Sequence, residues 1–124
     1  MIRNFTELDV WRAGKDLAID ILKLWEQLRD RGYFGLKDQM QRAAVSIPSN
    51  IAEGNERKSA QEFVRYLYIS KGSAAELHTQ LIVLKELEIA DDYNLEPYLE
   101  RTDMLLRKIQ RLISAVYAKK PSPQ

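Results

Sequence analysis

The chain has 124 residues, with 19 Lys and Arg against 18 Asp and Glu, a single His and no Cys. These counts exclude disulfide frameworks, thiolate metal sites, thiol catalysis and multi-histidine metal centres, and a net charge of +1 argues against binding driven by bulk positive charge. With 45% hydrophobic and 30% charged residues, five Gly and four Pro, the composition fits one helical domain with a real core. Residues 1–118 are expected to form that domain, and residues 119–124 a flexible polar tail.

Acids arrive at once in the sequence and no apolar leader segment follows, so no secretory signal is expected. No stretch approaches the ~18 consecutive apolar residues of a membrane span. The expectation is a soluble, cytoplasmic protein. The first helix is predicted over residues 8–31, with Trp11, Ala18, Ile21, Trp25 and Leu28 on one face and Val10, Leu17, Leu22 and Leu24 widening it. Gly32 and Gly35 break the pattern. The second helix covers residues 36–54, with Leu36, Met40, Ala43, Ile47 and Ile51 facing inward. Pro48 lies inside it, removes one hydrogen bond and crowds the Ala44 carbonyl, so a kink is expected there.

Ser59 and Glu62 have the spacing of a capping box at the start of the third helix, each side chain satisfying a free backbone N–H. Phe63, Leu67, Ser70, Ala74, Leu77, Leu81 and Leu84 then repeat at spacings of 4-3-4-3-4-3, a heptad seam. The fourth helix is predicted to start near Asn94 or Leu95, with Pro97 tolerated in its first turn. Its inward positions are Tyr98, Thr102, Leu105, Ile109, Leu112 and Val116. Four amphipathic helices with short connections predict an all-α fold, an antiparallel up-down-up-down four-helix bundle.

Some apolar residues do not fit the seam. At ~100° per residue, Tyr68, Ile69 and Val83 lie roughly 140°, 240° and 200° around the third helix from Phe63. With Val10 and Leu22 flanking the first helix, they suggest an outer face that docks another subunit, unless a wide core stripe absorbs them.

Sites for chemistry are sparse. His78 has no second His or Cys with which to share a metal and reads as a boundary residue with one hydrogen bond. None of the serines has the context of an activated nucleophile, and no glycine-rich phosphate loop is present. No cofactor is implied and no enzymatic activity is expected. One polar constellation stands out. Arg42, Ser46, Asn50 and Glu53 follow spacings of 4, 4 and 3 on one face of the second helix, and Ser73 and Glu76 lie three apart on the third. Such groups beside a core need partners. They form either a network that fixes the bundle's register, with Arg42 meeting Glu53 or Glu76, or a pocket for a small ligand or a base edge.

Charge is sorted along the chain. Residues 86–100 hold six acids and no base, and residues 101–124 hold six bases and one acid. Arg101, Lys108 and Arg111 share a face of the fourth helix, and Arg107 borders it. Complementation of the helix dipole accounts for part of this sorting. The functional reading is a basic stripe for phosphate backbones.

The run Gln39-Met40-Gln41-Arg42-Ala43-Ala44-Val45-Ser46-Ile47-Pro48-Ser49-Asn50-Ile51-Ala52-Glu53-Gly54 resembles the 23S rRNA intervening-sequence protein family of bacterial four-helix bundles. Residues 5–11, Ser59-Ala60-Gln61-Glu62-Phe63 and Gly72-Ser73-Ala74-Ala75-Glu76-Leu77 support the likeness, which covers roughly residues 4–90. The resemblance implies an antiparallel bundle assembled as a homopentamer, encoded within rRNA genes or alone, with no established catalytic activity. A similar bundle, the accessory variability protein of diversity-generating retroelements, is a basic pentamer that binds nucleic acid and partners a reverse transcriptase. The positions carried over are Arg42, Ser46, Asn50, Glu53, Ser73 and Glu76, either as binding groups or as groups that hold the fold. The leading expectation is a non-enzymatic pentamer that binds RNA or a ribonucleoprotein through basic residues of the first and fourth helices. The alternatives are a protein-interaction scaffold, such as an accessory subunit of a reverse transcriptase, and a small-molecule-binding or hydrolytic bundle.

Overall fold

The structure, a computed structural model, describes residues 4–119. It contains four helices: α1 (Asp9–Gln27), α2 (Phe34–Asn55), α3 (Ala60–Glu86) and α4 (Glu96–Lys119). Lys119, assigned above to a tail, closes α4, and the rest of that expected tail lies outside the described residues. The first three residues of the expected non-secretory N-terminus also lie outside them.

Each helix packs on the next, and α1 also meets α4, so the four surround one core. Trp25, Leu17, Ile21, Met40, Ile47, Ile51, Leu67, Leu77, Leu81 and Leu84 are fully buried in it. Cross-helix hydrogen bonds give the senses of packing. Along α3, Lys71, His78 and Lys85 meet Gln110, Thr102 and Glu96 of α4, so partner numbers fall as those of α3 rise. Asp9 and Asp20 of α1 likewise meet Lys108 and Arg101 of α4. Both pairs of helices therefore run in opposite senses. Among the described residues no helix is long and apolar enough to cross a membrane.

Several boundaries and facings differ from expectation. α1 stops at Gln27, short of residue 31, because Leu28 leaves helical geometry (φ −94°, ψ 6°) and the chain turns towards Gly32 at φ 84°. Tyr33 then takes the left-handed conformation (φ 56°), and α2 starts at Phe34, so Gly35 lies in its first turn and not in the break. A 3-10 turn at Phe5–Glu7 precedes α1, capped by the Asn4 side chain, which accepts from the Thr6 N–H at 2.9 Å. Phe5 packs edge-on against Trp11, ring centroids 5.3 Å apart. α2 continues through buried Pro48 without interruption. At α3 half of the capping box is realised: Ser59 Oγ accepts from Glu62 N at 3.1 Å, while the Glu62 carboxylate faces Arg65. Asn94 Oδ1 accepts from Glu96 N at 3.1 Å and sets the start of α4 as expected.

Core facings shift at one end of the bundle. Val10 is buried, as its place in the widened stripe of the first helix predicts and not as part of an outer face; Val64 and Ile113 are buried too, while Phe63, Leu112 and Val116 of the predicted seams are only partly buried. A repeat of 3.5 residues drifts against the 3.6 of a straight helix, and over the length of α4 that drift rotates the inward position from Leu112 to Ile113. At Gly54 the backbones of α2 and α3 come together: a Cβ there would stand 2.6 Å from Tyr66 Cβ.

Candidate functional site

The polar constellation divides in two. Ser46, Asn50 and Ser73 meet between α2 and α3. Asn50 Nδ2 donates to the Ser46 carbonyl at 2.9 Å and to Ser46 Oγ at 2.8 Å. Since Ser46 Oγ accepts there, its own proton is free to go to Ser73 Oγ, 2.8 Å away. One turn further in, Ser70 Oγ donates to the Ile47 carbonyl at 2.8 Å, fully buried. Ser70 was read as a seam position only. The signal was available, since a hydroxyl at a heptad seam must find an acceptor.

The charged members are not in this cluster. Arg42 is 80% exposed and pairs with Asp38 on its own helix at 3.6 Å, not with Glu53 or Glu76. Glu53 pairs instead with Arg57 at 2.8 Å, and Arg57 also donates to Tyr66 Oη at 2.6 Å and lies over that ring. Glu76 is exposed on the outer side of α3. Long charged side chains at this interface keep their heads in water, and the contact is made by three short polar groups. The expected Arg42–glutamate network is thereby corrected.

The fourth-helix bases are mostly neutralised. Arg101 donates to Asp20 at 2.8 Å and Lys108 to Asp9 at 2.8 Å, both joining α4 to α1. Arg107 pairs with Asp103 of its own helix at 2.9 Å. Arg111 has no such partner among the described residues. The hydrogen bond from Lys108 holds the Asp9 carboxyl below the ordinary 3.8 against the opposing effect of desolvation, with the charges of Lys108 and Arg12 adding to it. Two of the four bases in the fourth-helix stripe are thus ties to α1.

His78 Nδ1 lies 2.7 Å from Thr102 Oγ1, whose own proton goes to the Leu99 carbonyl at 2.9 Å. Among the described residues no group of three or more His, Cys, Asp or Glu is placed to hold a metal. Sequence reasoning missed Arg31, whose guanidinium grips Asp92 at 2.6 and 2.9 Å, donates to the Ile89 carbonyl at 2.9 Å and stacks on Tyr93. That contact pins the α1–α2 turn to the acidic α3–α4 connection. No motif announces it, because the partners are 61 residues apart.

The apolar residues set apart from the α3 seam lie on its outer face. Tyr68, Ile69 and Val83 are 46%, 43% and 43% exposed, and Ile82 adjoins them. Gly72 lies on the same face with nothing within 4 Å of where a Cβ would stand.

These features define a class: a small all-α bundle with short polar ties inside, and apolar and charged surface outside. The family model for the 23S rRNA-intervening sequence protein matches residues 6–111. The chain belongs to that family. No curated protein matches it.

Proposed function

We propose that the protein is a non-enzymatic, self-associating four-helix bundle that binds RNA or a ribonucleoprotein. Its unit is the up-down-up-down bundle, and its assembly is a homopentamer built on the outer face of α3. The observation that carries the reading is that face. Tyr68 and Ile69 lie one turn before the open position at Gly72, and Ile82 and Val83 about three turns beyond it, all exposed on a helix whose inner side is already filled. A lone bundle gains nothing from this arrangement, since exposed apolar area is unfavourable and Gly in a helix interior costs about 1 kcal/mol relative to Ala. A closed ring buries the face and repeats every basic surface once per subunit, which multiplies the local field on a polyanion.

The test is binding of a structured RNA at rising salt. Binding that weakens steeply between about 50 and 200 mM salt is expected for phosphate contacts. Undetectable binding at low salt, or binding indifferent to salt, defeats the reading. A second reading, a scaffold that docks a basic protein such as a nucleic-acid enzyme, is favoured by Phe34. It is 68% exposed and begins α2 beside a turn that Arg31 ties to the acidic connection.

A further inference from the structure

Most cations of this bundle are occupied, and the distribution of the unoccupied ones is uneven. Among the described residues, Lys58, Arg111 and Lys119 have no hydrogen-bonded or ion-paired partner, and all three are exposed. Lys58 and Lys119 rim an open cleft of about 490 Å³ at the end of the bundle where the α2–α3 turn meets the last turn of α4. Arg111 lines a smaller adjoining cleft of about 290 Å³, which shares Leu8 and Leu112 with the first. Lys23 and the half-buried Lys37, the other described cations without such a partner, lie apart from both clefts, late on α1 and at the start of α2.

The floor of the larger cleft explains why the seams open here. Phe63, Leu112 and Val116 have the spacing of core residues yet are only partly buried, and they line this cleft together with Leu8. An aromatic ring and three aliphatic side chains thus lie beneath a cationic rim. The volume falls in the usual ligand range of about 300–1,000 Å³. An apolar floor with cations on the rim is the combination that single-stranded nucleic acid requires, with a base on the ring and phosphates on the cations. An acidic helix fits less well, because it needs apolar contacts repeated over several turns of a groove, and on α4 this floor has only Leu112 and Val116, one turn apart.

We infer that the cleft rimmed by Lys58 and Lys119 and floored by Phe63, Leu112 and Val116, together with the adjoining one lined by Arg111, binds an unpaired stretch of RNA. The inference rests on the RNA reading above and deepens it. It moves the contact from the stripe on α4 to one end of the bundle, and it specifies single-stranded RNA.

The experiment is fluorescence anisotropy on the full chain with a labelled 12-nucleotide single-stranded RNA and its duplex, across a salt series. The single strand should bind more tightly than the duplex. The triple variant Lys58→Gln/Arg111→Gln/Lys119→Gln should weaken single-strand binding at least about tenfold, and the slope of log affinity against log salt should shrink by about two, at about 0.7 per lost phosphate contact. Lys23→Gln, which removes an unpaired cation elsewhere, should change neither. Phe63→Leu keeps the aliphatic contact and should lose the preference for single strand over duplex. If the wild type binds RNA but the triple variant is unaffected, the cleft is refuted and the broader reading survives. If the wild type binds no RNA, both fall. Competition by polyglutamate as effective as that by RNA overturns RNA as the ligand and points to an acidic protein segment.

Discussion

Replacing Gly54 with alanine tests how tightly α2 and α3 are packed where they come together. The added methyl would stand 2.6 Å from Tyr66 Cβ, 3.1 Å from Phe63 Cδ1 and 3.3 Å from the Phe63 carbonyl oxygen. Carbon atoms in contact prefer about 3.5–4.0 Å, so the shortfall at Tyr66 is about 1 Å. The obstructing atom is a Cβ, which cannot swing aside, so the two backbones must separate. Overpacking of this kind costs about 1–3 kcal/mol, and the better helix propensity of alanine returns at most about 1 kcal/mol. The net loss is about 1–2 kcal/mol, or about 4–8 °C in Tm for a chain of this size. Circular dichroism melting at matched protein concentration reads it, since self-association makes Tm depend on concentration. An alanine variant that melts at or above the wild type refutes the close approach.

Gly72→Ala is the opposite case, with open space around the position. In an isolated bundle it should stabilise by up to about 1 kcal/mol; on a docking face it should lower the assembled mass in light scattering, which is the outcome expected here. Unchanged assembly with a raised Tm removes Gly72 from the interface. Asn50→Ala deletes two hydrogen bonds on Ser46 and should cost about 1–2 kcal/mol in urea unfolding; unchanged stability would argue for a ligand role. The Asp9 and Asp92 carboxyls are held below 3.8 by hydrogen bonds from Lys108 and Arg31. A lowered acid pKa contributes stability that is fully present above the unfolded value and lost as pH falls through the folded one. Stability should therefore drop below about pH 4, and Lys108→Gln should move the Asp9 titration upward in NMR; no movement contradicts the α1–α4 tie. Arg31→Ala should destabilise the wild-type chain at low salt and much less at high salt, in parallel melts.

The periodicity of apolar residues made the helices legible, because burying one stripe per helix is what the fold must do. The limits of that reading are physical. Leu28 satisfies the stripe of the first helix yet lies beyond its end, since burial does not require helical geometry. The residues sharing a face on α2 were correctly grouped as Arg42, Ser46, Asn50 and Glu53, but spacing cannot distinguish a short side chain that reaches Ser73 from a long one that turns to water. Only Ser46 and Asn50 make the cross-helix cluster. The fourth-helix bases were visible as a row, while their neutralisers Asp9 and Asp20 lie 99 and 81 residues away in sequence. The outer apolar residues of α3 were legible because three of them fall opposite a seam that was read nearly correctly.

Sedimentation velocity of the full chain, alone and with RNA, tests the central claim most directly. The account predicts a protein mass several times the 14.4 kDa of one chain. It also predicts a further shift when RNA is added at low salt, which disappears as salt rises. A 14.4 kDa monomer that leaves RNA unshifted contradicts it.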